Sequence, residues 1–193
     1  MSDDERIERI LDAAYACFTR HGVRRTTMED IAREAGMSRP VLYQHVRNKE
    51  DAFRRLVARL LDTSLAGARA AAGAPGGLTA RLTGVLEAKL GMLAKVWADS
   101  PAHAVELLSV DARLSAEPIA AYDAAMRELL ASVVTAERPD VDAAELAELL
   151  LAFTRGLEAD LSDPDAPARR LRRGVELFAA GLDRFPTAPK EHS

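Results

Sequence analysis

Cysteine is almost missing from this chain of 193 residues: Cys17 is the only thiol, so no disulfide can close within one chain. Neither a cysteine-based zinc site nor a CxxC redox pair can be built from it. No apolar run approaches the roughly 18 residues a membrane span requires. Asp3, Asp4 and Glu5 stand where a basic stretch leading into an apolar one would mark an export signal. The expectation is a cytoplasmic protein, neither exported nor embedded in a membrane. Aromatic residues make up 5% of the chain, β-branched residues are scarce, and no segment sustains the alternation of a strand. Catalytic signatures are missing as well. There is no nucleotide-binding glycine loop, no GxSxG elbow, no HExxH pair and no Cys-His pairing on a recognisable scaffold. Asp163 and Asp165 fall in a proline-containing turn and read as helix caps. We therefore expect no enzyme, no metal and no cofactor.

What is present is charge, unevenly spread. The formal net charge is −4, but the segment from Arg20 to Lys49 holds seven basic residues against three acidic ones. A small basic front followed by an acidic body is a pattern that points to nucleic-acid contact.

Helical periodicity runs through nearly every segment, so the chain reads as all-α with about nine helices. The first extends from about Asp3 to Arg20, with Ile7, Ile10, Leu11, Ala14, Cys17 and Phe18 on one stripe, and stops at Gly22. Thr27 caps a short second helix whose Ile31, Ala32 and Ala35 face inward, and Gly36 ends it. Ser38 is placed to cap a third, with Pro40 in the first turn where its missing N–H has no partner to lose. A fourth helix starts near Asn48 and carries Phe53, Leu56, Val57, Leu60 and Leu61 before fading in residues 71–77, which are rich in Gly and Pro. Five more are expected at Leu78 to Asp99, Pro101 to Arg113, Pro118 to Glu137, Asp142 to Leu161 and Pro167 to Arg184, with a frayed tail after Phe185.

Residues 26–53 carry the chemistry. Two short helices joined by a glycine-containing turn and braced by a preceding amphipathic helix form a helix-turn-helix, whose second helix can place its first turn in a major groove. Ser38, Arg39, Tyr43, Gln44, His45 and Lys49 include donors that reach phosphates and groups that read base edges: Arg for guanine O6 and N7, Gln for adenine N6 and N7. Val41, Leu42 and Val46 pack back on the first two helices. Arg24 and Arg25 either touch phosphate or are solvated turn residues.

Thr27, the IAREAGMS turn, Leu42-Tyr43, His45-Val46, Asn48-Lys49-Glu50 and Phe53 together make residues 5–60 resemble the TetR family of bacterial transcriptional repressors. The resemblance implies an N-terminal three-helix DNA-binding domain, residues 1–48. Residues 49–193 then form a connecting helix and a helical bundle for effector binding and dimerisation. It implies a homodimeric repressor released from a palindromic double-stranded operator by a small-molecule effector. Carried over residue by residue, Thr27, Ser38 and Tyr43 meet phosphates, Arg39, Pro40 and Gln44 meet base edges, and His45 and Lys49 clamp the DNA backbone. Many relatives have Gly or Thr where Pro40 and Val41 stand, and Phe where Val46 stands, so the bases read stay open. The alternative is an effector-independent helical DNA-binding or interaction protein whose C-terminal domain only dimerises.

Beyond Leu78 no motif stands out. Met92, Trp97, His103, Tyr122, Met126 and Phe153 are candidates to line an effector cavity, with Glu106 and Arg155 as orienting groups if they face inward; core packing explains the same residues. Phe153, Gly156, Ala159, Gly174, Phe178 and Gly181, with Leu149, Val175 and Leu182, mark a dimer surface on the last two long helices, although close packing within the chain would use the same glycines.

Overall fold

The computed structural model describes residues 2–109, 116–158 and 166–182, and all regular structure among them is helical. The described helices are α1 (Asp3–His21), α2 (Met28–Glu34), α3 (Arg39–His45), α4 (Lys49–Ala72), α5 (Leu78–Asp99), α6 (Ala104–Ser109), α7 (Ala116–Glu137), α8 (Ala143–Glu158) and α9 (Ala166–Leu182). The all-α expectation holds. None of the described helices is long and apolar enough to cross a membrane. The expected helix ends at Arg113, Leu161 and Arg184, together with Ala159, Asp163, Asp165 and the tail, lie outside the described residues.

One helix departs from its expected bounds. The periodicity placed a start at Pro101, whereas α6 begins at Ala104. The cause is Ser100: its carbonyl accepts from the N–H groups of His103 (3.1 Å) and Ala104 (2.7 Å). Its hydroxyl donates to the Thr19 carbonyl at 2.7 Å. Pinned to α1 at that point, the chain turns before it can resume a helix.

Two compact units result, one of residues 1–61 and 95–119, the other of 62–94 and 120–193. The first is organised around α1, whose start is secured by a reciprocal capping box between Ser2 and Glu5. Ile10, Ala14, Phe18, Ile31, Leu42, Val46, Phe53 and Leu56 form its core, joined by Val96 and Leu107. Phe18 and Phe53 meet edge to face with ring centroids 5.8 Å apart. Each such ring, taken fully out of water, contributes about 1.5–3 kcal/mol. Cys17 lies in the same core, 2% exposed, and burial, followed by the nearby Glu34 and Asp30, pushes its thiol pKa up. Tyr15 Oη donates to Asp99 Oδ2 at 2.6 Å; burial, then that carboxylate, raise the phenol pKa.

The second unit buries Leu82, Val85, Leu86 and Leu90 of α5, Met126, Leu130 and Val134 of α7, Leu146, Leu150 and Leu151 of α8, and Leu171 and Val175 of α9. Ion pairs tie these helices at the edges, Arg81 to Glu137 at 2.7 Å and Arg172 to Glu87 at 2.6 Å, with Arg127 paired to Glu148. Phe153 and Phe178 stack edge to face at 5.6 Å. Gly174 lies directly beneath the Phe153 ring, where a Cβ would collide with it. This glycine therefore serves packing between α8 and α9 of one chain.

Candidate nucleic-acid interface

The helix-turn-helix is built by caps and one left-handed residue. Thr27 Oγ1 accepts from the Asp30 N–H at 3.2 Å, while Asp30 Oδ2 accepts from the Thr27 N–H at 3.0 Å and hydroxyl at 2.6 Å. These two hydrogen bonds from Thr27 hold the Asp30 carboxyl pKa below its ordinary range. Gly36 has φ +63, a conformation costly for any residue with a Cβ, and a Cβ there would also sit 2.8 Å from a nitrogen of Arg9. The chain thus reverses tightly between α2 and α3, with the Met37 N–H on the Ala32 carbonyl at 2.9 Å.

Ser38 occupies the N-cap position of α3 in extended conformation, but its hydroxyl makes no cap hydrogen bond, which corrects the expectation that it caps the helix. The physical reason lies next to it. Of the two N–H groups an N-cap side chain can accept from, those of the second and third helical residues, Pro40 lacks one, and the hydroxyl takes up no bond to the other. The Ser38 side chain remains on the exposed surface.

Burial then divides α3 cleanly. Leu42 and Val46 are enclosed in the core, Val41 is half-buried, and Ser38, Arg39, Pro40, Tyr43 and Gln44 face outward, with His45 half-buried at the helix end. The Arg39 guanidinium is held over the Tyr43 ring, 5.8 Å from its centroid, with one nitrogen 3.4 Å from the phenol oxygen and another 3.5 Å from Glu29 Oε2. Arg39 and Tyr43 thus present one pre-set group of donors.

The junction to α4 is equally specified. Asn48 Oδ1 accepts from the Asp51 N–H at 2.8 Å, and Asp51 accepts in return from the Arg47 N–H at 3.0 Å and from Arg54 at 2.7 Å. Burial alone would raise the Asp51 pKa; the Arg47 N–H together with Arg54 and Arg55 outweighs it, and the net shift is downward. Lys49 Nζ donates to the Arg24 carbonyl at 3.1 Å, and the Arg24 N–H donates to Glu106 on α6 at 2.8 Å. Arg24 is therefore anchored by its backbone while its side chain is 89% exposed. Glu106 serves that anchor in the first unit.

Thr27, Ser38, Arg39, Pro40, Tyr43, Gln44, His45 and Lys49 all fall on the first unit. The candidates for an effector cavity fall in both units. Trp97 and His103 belong to the first unit, whereas Met92, Tyr122, Met126 and Phe153 belong to the second. Tyr122 and Met126 are buried; Phe153 lies instead with Leu149, Gly174, Leu177, Phe178 and Gly181 around an apolar groove of about 610 Å³ between α8 and α9. Arg155 and Gly156 are exposed. Three polar residues of the second unit escaped the sequence reading, Ser64, Lys89 and Glu158. The available signal was Lys89, which interrupts the apolar stripe of Leu82, Val85, Leu86 and Leu90.

These features define an all-helical protein with an N-terminal helix-turn-helix. Residues 10–56 match the family described as bacterial regulatory proteins, tetR family, and over that segment the chain is similar to its members. A 62-residue segment, 32% of this chain, is 40% identical to the HTH-type transcriptional regulator YfiR of Bacillus subtilis (strain 168) and spans 30% of that protein's length. The fold is that of a transcriptional regulator from Pseudomonas aeruginosa PAO1, with a TM-score of 0.75 and 24% identity over 95% of this chain and 93% of the other. It is also that of the regulator FadR from Bacillus subtilis, solved in complex with stearoyl-CoA, with a TM-score of 0.70 and 16% identity over 90% of this chain and 98% of the other.

Proposed function

We propose that this chain is a sequence-specific DNA-binding transcriptional regulator, a homodimeric repressor released from a palindromic operator by a small-molecule effector. The observation that carries the DNA-binding part is the division of α3, with its apolar residues sealed in the core and Ser38, Arg39, Pro40, Tyr43 and Gln44 presented together. In this reading Gln44 and Arg39 meet base edges, while Thr27, Ser38, Tyr43, His45 and Lys49 meet the DNA backbone. Residues 1–48 are the DNA-binding domain, and α4, helical from Lys49 to Ala72, is its covalent continuation into the effector-binding and dimerisation domain.

The groove between α8 and α9 supports dimerisation. It is lined by Leu146, Leu149, Phe153, Leu177 and Phe178, and Leu149 and Leu177 stand 49% and 58% exposed. A two-fold dimer presents two recognition helices, and the operator half-sites expected for it are about 34 Å apart, one helical turn of DNA. Effector release is supported by the likeness in fold to FadR, which holds stearoyl-CoA.

The test is selection of genomic fragments by the purified chain, then footprinting at defined salt. A protected palindrome is expected. Gln44→Ala should relax preference at one base position, and Lys49→Ala should weaken binding to all sequences while reducing the salt slope by about one. Sequence-blind binding, or equal loss of specificity in both variants, would sink the assignment.

A further inference from the structure

The second unit keeps a cation where its own helix pattern asks for an apolar side chain. Lys89 follows Leu82, Val85 and Leu86 on the buried stripe of α5 and is 7% exposed. Its Nζ donates to Glu158 Oε1 on α8 at 2.5 Å. Next to it, Ser64 Oγ on α4 donates to the Ala88 carbonyl at 3.1 Å and lies 2.8 Å from Tyr122 Oη on α7. Four helices thus each give one side chain to a single enclosed polar cluster. Burial is the leading influence on Tyr122 and raises its phenol pKa to about 12, so its hydroxyl stays protonated at neutral pH.

Stability alone does not explain this arrangement. Desolvating two charges offsets most of their attraction, and an apolar pair of the same volume packs as well or better. An exchangeable counter-ion is a different matter. Replacing the Glu158 carboxylate on Lys89 by a ligand carboxylate leaves the buried charge balance unchanged, whereas a neutral headgroup would strand the ammonium. A dianion such as a phosphate monoester would leave excess negative charge, and a single lysine lacks the planar fork with which arginine holds phosphate. Glu158, whose side chain is 18% exposed, can turn toward water when displaced. Met92, three residues after Lys89, and Met126, four after Tyr122, share those helix faces and have the flexibility to repack around an apolar body.

We infer that Lys89, Glu158, Ser64 and Tyr122 form the headgroup subsite of the effector, and that the effector is an amphipathic carboxylate whose acid group displaces Glu158 from Lys89. This rests on the reading of the chain as an effector-controlled regulator. The full-length protein is titrated calorimetrically, and its thermal midpoint followed, with straight-chain carboxylates from hexanoate to dodecanoate and with 3-phenylpropanoate, each beside its primary amide. At least one acid should bind about ten-fold or more tighter than its amide and raise the midpoint. Glu158→Gln removes the competing carboxylate and should tighten that acid about ten-fold. The double variant Lys89→Gln/Glu158→Gln, neutral and similar in volume, should retain its unliganded midpoint and lose the acid.

Amides that match their acids, a Glu158→Gln variant that binds more weakly, or failure of every acid to bind that variant would each overturn the subsite. Operator affinity, followed by fluorescence anisotropy in the same samples, separates this inference from the reading beneath it. An acid that binds as described but leaves operator affinity unchanged removes effector release and keeps the ligand site. Release by an uncharged compound, with no acid bound, removes the carboxylate subsite and keeps effector release.

Discussion

Residues 22–53 and residues 78–99 are both helical and both amphipathic, yet they are specified by different means. In the first stretch almost every turn has its own device: the reciprocal Thr27–Asp30 cap, the left-handed Gly36, Pro40 in a first turn, and Asn48 receiving the Asp51 N–H. In the second, one 22-residue helix is carried by recurring Leu, Val and Ala, and its single anomaly is a buried lysine. The turns of the helix-turn-helix are thus set mainly by contacts between near neighbours in sequence, and the mutual packing of the longer helices by contacts between distant ones. Local devices hold a surface in one shape, which suits reading DNA. Distant contacts through aliphatic side chains leave a core whose side chains can be exchanged while its helices remain.

The comparison breaks most visibly with core truncations. Phe18→Ala should cost about 3–5 kcal/mol in chemical denaturation, whereas Leu177→Ala, at a side chain 58% exposed, should stay within about 0.5 kcal/mol for the isolated chain. A next, smaller effect distinguishes two uses of the α8–α9 face. Gly174→Ala forces a methyl group against the Phe153 ring and should destabilise the chain by about 1–3 kcal/mol. Leu177→Glu should leave chain stability near wild type and abolish association in sedimentation velocity. A Leu177→Glu variant that still sediments as a dimer would rule this face out as the interface.

Acid titration sharpens the local side. The folded-state pKa of Asp51 is lowered, so its contribution is complete above the unfolded-state value near 3.9 and is lost as pH falls through the folded value. Asp51→Asn should therefore be less stable than wild type at pH 7, and the gap should close in denaturation curves measured toward pH 2. The smallest effects test the caps. Thr27→Ala should lower stability by about 1 kcal/mol, while Ser38→Ala, which removes no cap hydrogen bond, should change it by less than about 0.5 kcal/mol and still weaken DNA binding.

The same contrast governs how much could be read from sequence. Thr27, Gly36 and Asn48 announce helix ends because their roles depend on residues a few places away, and α5 and α7 emerge with bounds within two residues of the periodicity. The α6 start is not legible in sequence because the Ser100 hydroxyl bonds the Thr19 carbonyl across 81 positions. Lys89 with Glu158, Ser64 with Tyr122, and Glu106 with Arg24 were out of reach for the same reason: each pairs helices whose mutual rotation no single helix encodes. Arg39, Pro40, Tyr43 and Gln44 are legible as exposed because the apolar Leu42 and Val46 mark the buried side of the same short helix. No comparable local device marks the cavity candidates, because aromatic and methionine residues serve packing and ligand contact alike.

The solitary Cys17 also makes the first unit self-reporting. Enclosed in that core and carrying the only thiol in the chain, it can be alkylated only when the packing around α1 opens. The labelling rate under mild conditions therefore works as a clock for that opening, without a single engineered residue. Operator DNA that seals the helix-turn-helix should slow the clock, and an effector that loosens it should make it run faster.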